Sequence, residues 1–282
     1  MTRHKALTRC LVIGILVAAT GCGGTVDRLR ANFAAKQGND FYKAQDFLKA
    51  VQWYRYAVYL NPDLPIAYHN AGLAYLALYR PGSRHPKDLV YAQNAIDNLK
   101  RFLKFDPTNG DAKNQLLTVF LSAERYDDAA VFFENEVKQR GDDPEEVARL
   151  AQILGMIHSK KGDFEASLEW YKKRADIEKD NAEALYTIGV LCWEKVYRQG
   201  TTLELDRRKE LIEMGLDYLQ RASDLRENYF EAASYVNLLY REKAKVAQLS
   251  GDMEEFAKWT QEADKMGRIS LEMRKKVMAS KS

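Results

Sequence analysis

Apolar and small residues recur along this chain at helical spacing, in pairs of segments joined by short polar turns. The clearest pair is ANFAAKQGNDFYKAQDFLKAVQWYRYAVYLNPDL, residues 31–64, where Gly38, Phe41, Ala50, Tyr54 and Ala57 mark contact positions on two successive helices ending at Asn61 and Pro62. A second pair starts at Pro65, with AYHNAGLAYLAL and AQNAIDNLKRFLKFDP separated by an insertion of about eleven residues. A third runs from Gly110 to Asp143, and the fourth is VARLAQILGMIHSKKGDFEASLEWYKKRADIEKDN. The fifth joins AEALYTIGVLCWEKVY to GLDYLQRASDLRENY across an insertion of about fourteen residues, and a weaker sixth spans Phe230 to Met266. Pro62, Pro65, Pro107 and Pro144 fall at boundaries between pairs, and Pro81 and Pro86 fall in the long second turn, so no predicted helix is interrupted. No segment alternates with period two between turn signals, which predicts an all-α chain.

The pairs resemble the tetratricopeptide repeat (TPR), a 34-residue helix-turn-helix unit whose small residues let two antiparallel helices approach closely. The resemblance covers residues 31–266 and implies a right-handed TPR superhelix (α-solenoid) of five to six repeats with a C-terminal capping helix. Glu136 and Arg174 stand where small residues are expected, and Arg174 predicts looser packing at the end of its helix. Cys192 replaces an aromatic packing residue, which predicts a buried, unreactive thiol.

In this family the first helices line a concave face with their fifth, ninth and twelfth residues. Here those are Ala35, Asn39 and Tyr42, then His69, Leu73 and Leu76, then Asn114, Thr118 and Leu121. The later repeats give Gln152, Met156 and Ser159, then Tyr186, Val190 and Trp193, then Ser234, Leu238 and Arg241. Relatives that grip a C-terminal carboxylate carry Lys, Arg and Asn on this row. Asn39 fits that pattern, but Ala35, Asn114 and Thr118 do not. The candidate partner-binding groove is therefore Asn39, Tyr42, His69, Leu73, Leu76, Met156, Tyr186, Val190, Trp193 and Leu238, suited to an amphipathic helix or an extended apolar peptide. The same residues could instead pack against the chain itself, with the C-terminal helix covering one end. The turn Tyr79 to Leu89 is a second candidate surface, or a merely tolerated insertion.

The N-terminus changes the setting. Arg3, Lys5 and Arg9 precede the apolar run from Leu11 to Ala19, which is too short to span a bilayer and reads as a leader. At AATGC, residues Ala19, Thr20, Gly21 and Cys22 resemble the lipobox of bacterial lipoproteins, which implies lipidation of Cys22 and membrane attachment through that lipid. The expected division is a signal peptide over 1–21, a lipidated N-terminus and tether over 22–30, the solenoid over 31–266, and a C-terminal helix with a basic tail over 267–282. The resemblance also implies an exported protein, on the periplasmic face of the outer membrane if the source is Gram-negative.

Charge and chemistry remove other classes. The chain has 43 Lys and Arg against 40 Asp and Glu, and the leader holds the excess, so nucleic acid is not an expected partner. No phosphate-binding loop, nucleophile elbow or HExxH helix occurs, and His69, His85 and His158 have no second ligand at metal spacing. No enzyme activity, cofactor or metal is expected. The sequence reads as a lipid-anchored scaffold or assembly factor that holds another envelope protein. The alternatives are a self-associating structural protein (a homo-oligomer) and a carrier of an apolar ligand.

Overall fold

A computed structural model describes residues 24–280, which are helical throughout apart from the connecting turns, with no strand among them. The leader and Cys22 lie outside the described residues. Helix α1 covers 24–43 and is followed by α2 (Phe47–Leu60), α3 (Pro65–Leu78), α4 (Pro86–Phe105), α5 (Gly110–Ser122) and α6 (Tyr126–Gln139). Next come α7 (Pro144–Lys161), α8 (Phe164–Ile177), α9 (Ala182–Gln199), α10 (Leu205–Leu225), α11 (Phe230–Leu249) and α12 (Met253–Ala279). Two compact units divide within α6, between Ala129 and Ala130.

Local chemistry starts several of the helices. Pro65, Pro86 and Pro144 occupy first helical positions, where a missing N–H costs nothing. The side chains of Asp46, Asn109, Asp143, Asp163 and Asp252 accept hydrogen bonds from backbone N–H groups one turn on. Gly162 closes α7 in the left-handed conformation at φ 87°, which a side chain would strain.

In the first unit α3 packs on α2 and α4, and α4 on α5. In the second, the pairs α7–α8, α9–α10 and α11–α12 stack on their neighbours in chain order. Close approach depends on glycine. A Cβ at Gly38 would fall 2.5 Å from the Tyr54 ring, and one at Gly155 2.6 Å from Tyr171. Cys192 is fully buried on α9. A Cβ at Gly215 of α10 would lie 3.1 Å from that of Cys192, so an aromatic ring has no space here.

Five features differ from the sequence expectation. The second insertion is mostly helix: only residues 79–85 form the turn, and α4 runs for 20 residues. Likewise α9 and α10 lengthen to 18 and 21 residues to absorb the fifth-pair insertion. Residues 24–30 continue into α1, so the boundary expected at 30/31 falls inside a helix with no breaker. The boundary expected at 266/267 falls inside α12, where Gly267 passes close to α11: a Cβ there would lie 3.0 Å from Asn237 Nδ2. Finally, Arg174 is buried and ion-paired with Glu178 at 2.8 Å, so that helix end is filled rather than loose.

The 79–85 turn is tied down. The Tyr79 hydroxyl donates to Ser122 O at 2.7 Å, and buried Asp88 receives Arg80 at 2.7 Å and Ser83 at 2.5 Å. The Arg80 guanidinium and the Ser83 hydroxyl hold the Asp88 carboxyl below the usual carboxylate range.

Candidate functional site

In the first unit, three helices bring small polar groups and apolar surface to one concavity. Tyr54 of α2 must lie flat over Gly38, which aims its hydroxyl at Asn39 of α1. That hydroxyl donates to Asn39 Oδ1 at 2.8 Å, and Asn70 Nδ2 of α3 donates to the same oxygen at 2.9 Å. Burial, with Tyr42 and Asp40 nearby, pushes the Tyr54 phenol up to about 12, so it remains a donor across the physiological range. Asn39, Tyr42, Lys43, Tyr54, Asn70 and Leu73 line a pocket of about 260 Å³. With its oxygen accepting twice, Asn39 keeps the Nδ2 group as a donor, and Asn70 keeps Oδ1 as an acceptor. Tyr42 and Leu73 supply apolar walls. This set fits the main chain of an extended peptide with one apolar side chain.

The other row residues divide by environment. His69 Nε2 donates to Gln115 Oε1 at 2.9 Å and its ring stacks on Phe102 at 4.6 Å, so it joins α3 to α4 and α5. In the second unit Tyr235 of α11 meets both Tyr186 at 5.6 Å and Trp193 at 5.1 Å, and Trp193 also stacks on Tyr197 at 5.0 Å. Burial, then Tyr235 and Glu183, push the Tyr186 phenol up to about 12. Leu76, Met156, Val190 and Leu238 are half-buried on their helices. At the chain's end α12 engages the row: Ser270 meets Ser234 at 2.7 Å, and Asp264 pairs with Arg241 at 3.0 Å. The structure thus gathers Asn39, Tyr42 and Leu73 at one pocket and holds His69, Tyr186 and Trp193 in contacts within the chain.

Sequence reasoning missed Lys43, Tyr54 and Asn70 as pocket residues. Tyr54 stands at a packing position of the repeat, and Asn70 sits one residue past the row. Its signal was a second asparagine one turn from Leu73, on the first helix of the repeat after that of Asn39.

The other two described histidines lie elsewhere in the chain. His85 Nδ1 accepts from Lys87 N at 3.2 Å and caps α4, while buried His158 lies 3.8 Å from Glu134 and 3.7 Å from Asp163. Among the described residues no three His, Cys, Asp or Glu side chains cluster as a metal site, and no helix is long and apolar enough to cross a membrane. Burial pushes the Cys192 thiol up to about 12. At pH 8 its thiolate fraction is then about three orders of magnitude below that of a free thiol. Iodoacetamide is accordingly expected to label Cys192 fully in denaturant and negligibly in the native protein, read from the mass of its peptide.

Residues 38–78 match the protein family described as "TPR repeat". The fold is of TPR type. The photosystem I assembly protein Ycf3 of Acaryochloris marina is 25% identical over 34% of this chain and 58% of its own length. The small glutamine-rich tetratricopeptide repeat-containing protein 2 of Mycosarcoma maydis is 28% identical over 40% of this chain and 29% of its own. Human serine/threonine-protein phosphatase 5 is 45% identical over 27% of this chain and 14% of its own. The matches therefore span less than two thirds of each of these relatives. Among solved structures, YrrB, titled a TPR protein with an unusual peptide-binding site, aligns over 71% of this chain and 88% of its own at 21% identity and TM-score 0.42. PilF of Pseudomonas aeruginosa aligns over 90% and 99% at 13% identity and TM-score 0.39.

Proposed function

We propose that this protein is a lipid-anchored scaffold or assembly factor of a bacterial cell envelope, tied to its membrane through Cys22 and holding a segment of a partner protein on the first helices of its TPR units. The observation that carries the reading is the Asn39–Tyr54–Asn70 cluster, a hydrogen-bonded set of amide groups beside the half-buried Tyr42 and Leu73. Pre-orientation lowers the entropy lost on binding, so a short peptide segment gains affinity from few contacts. TPR proteins generally act by protein binding, and the similarity to an assembly protein supports the assembly reading. The AATGC motif supports the anchor.

Crosslinking and pull-down from detergent-solubilised envelopes test this with the native chain, a Leu73→Glu variant and a Trp193→Ala variant, each checked for native helicity. A partner captured by the native chain and Trp193→Ala but lost with Leu73→Glu is the expected result, because Leu73 lines the pocket whereas Trp193 is engaged by Tyr235 and Tyr197. The same partner captured equally by all three chains would overturn the assignment to this pocket.

A further inference from the structure

Helix α1 has two unlike faces. Ala31, Ala34, Ala35 and Gly38 are buried at helical spacing and carry the helix on its unit. On the other side Val26, Leu29 and Phe33 follow at i, i+3 and i+7, and they are 45%, 66% and 59% exposed. Three apolar side chains in one stripe, one of them aromatic, are unusual on a solvated surface. Cations accompany them: Arg30 lies beside Val26, Lys36 borders the stripe two turns past Leu29, and Arg28 lies toward the buried side of the helix. Against these three cations the segment 24–37 has a single carboxylate, Asp27, 3.9 Å from Arg30.

The position of this face limits what can meet it. Val26 is four residues from Cys22, so their Cα atoms are at most about 14 Å apart whatever the intervening backbone does. Along the helix the stripe extends only about 10 Å further to Phe33. A lipid on Cys22 therefore keeps the whole stripe within reach of the bilayer that the lipid enters. An apolar stripe with cations along it is the chemistry of a helix lying in an anionic membrane interface.

We propose that α1 docks its Val26–Leu29–Phe33 face on an anionic lipid surface and thereby fixes which side of the anchored protein is presented to partners. This rests on the reading of Cys22 as lipidated. Three apolar side chains bind a membrane weakly by themselves, but tethering makes the second contact intramolecular, with an effective concentration in the millimolar range, so a weak face suffices to set orientation.

The test is tryptophan quenching on the full chain, purified from its native membrane and reconstituted with phosphatidylethanolamine and phosphatidylglycerol vesicles whose acyl chains are brominated near the headgroup. Phe33→Trp places a reporter in the stripe, and Val131→Trp, at a residue 60% exposed on α6, is the control. The added emission of Phe33→Trp is expected to fall by about half, because an interfacial helix buries its apolar face roughly 5–10 Å into the headgroup and acyl boundary, while the control is unchanged. Equal emission from the two variants would overturn the proposal, and so would a stripe buried between two copies of the chain, since neither reporter would then meet bromine. The mass of the N-terminal peptide is read in parallel. Quenching of Phe33→Trp with an unmodified Cys22 would reject the anchor and keep the docking face, whereas a lipidated Cys22 without quenching would do the reverse.

Discussion

Replacing Glu242 with leucine is expected to destabilise the protein by about 3–5 kcal/mol, the cost of leaving a buried charge without its counterpart. Arg208 of α10 and Glu242 of α11 meet at 2.8 Å with side chains 6% and 5% exposed, and Arg208 Nε has no hydrogen-bond partner among the described residues. The pair is asymmetric. Lys245, half-exposed, also reaches Glu242 at 2.6 Å, so loss of Arg208 leaves the carboxylate with a cation. Arg208→Met is accordingly expected to cost less, about 1.5–3 kcal/mol, the range for a charge-assisted hydrogen bond. The double variant is expected to be more stable than Glu242→Leu alone, because it removes the stranded guanidinium. Urea unfolding followed by circular dichroism measures all three. A double variant no more stable than Glu242→Leu would show that the pair is not the source of the loss.

The second large effect belongs to Gly189 of α9. A Cβ at this position would fall 2.7 Å from Leu219 Cδ2 and 3.2 Å from the carbonyl oxygen of Gly215, so both a side chain and the backbone of α10 resist it. Alanine gains about 1 kcal/mol of helix propensity over glycine, yet forced overpacking costs about 1–3 kcal/mol. Because one obstacle is backbone that cannot change rotamer, overpacking wins, and Gly189→Ala is expected to lose about 1–2 kcal/mol. Gly189→Val, bulkier and β-branched, is expected to lose more than about 3 kcal/mol. Gly110, with nothing within 4 Å of its Cβ position, is the control: Gly110→Ala is expected to be neutral or slightly stabilising. Stabilisation by Gly189→Ala would mean that α9 and α10 separate more easily than their packing implies.

Much of the architecture was legible because each of its causes is local. Helix starts follow from Pro65 and Pro144, whose effects reach only one turn. The pairing of helices follows from glycine and alanine at fixed offsets, since only a missing side chain permits the approach seen at Gly38 and Gly155. The buried state of Cys192 was readable from its place at a packing position of the repeat. Within the candidate site, Asn39, Tyr42 and Leu73 were found from their places in the repeat.

Contacts between elements decided the rest. Helical spacing states which face a residue occupies and says nothing about what the neighbouring helix puts opposite it. Tyr186 and Trp193 look like free anchors on α9 until Tyr235 of α11 is seen between them. Asn70 becomes part of the site only because α3 sets its amide 2.9 Å from Asn39. The boundary expected at 266/267 is absent because α12 runs unbroken through Gly267, where it passes close to Asn237 of α11. Sequence by itself determined the repeat, the caps and the close-packed glycines, which short-range sterics and backbone hydrogen bonding enforce. Only the tertiary structure decided which exposed positions are spent on the neighbouring helix and which remain open, because that depends on side chains distant in the chain.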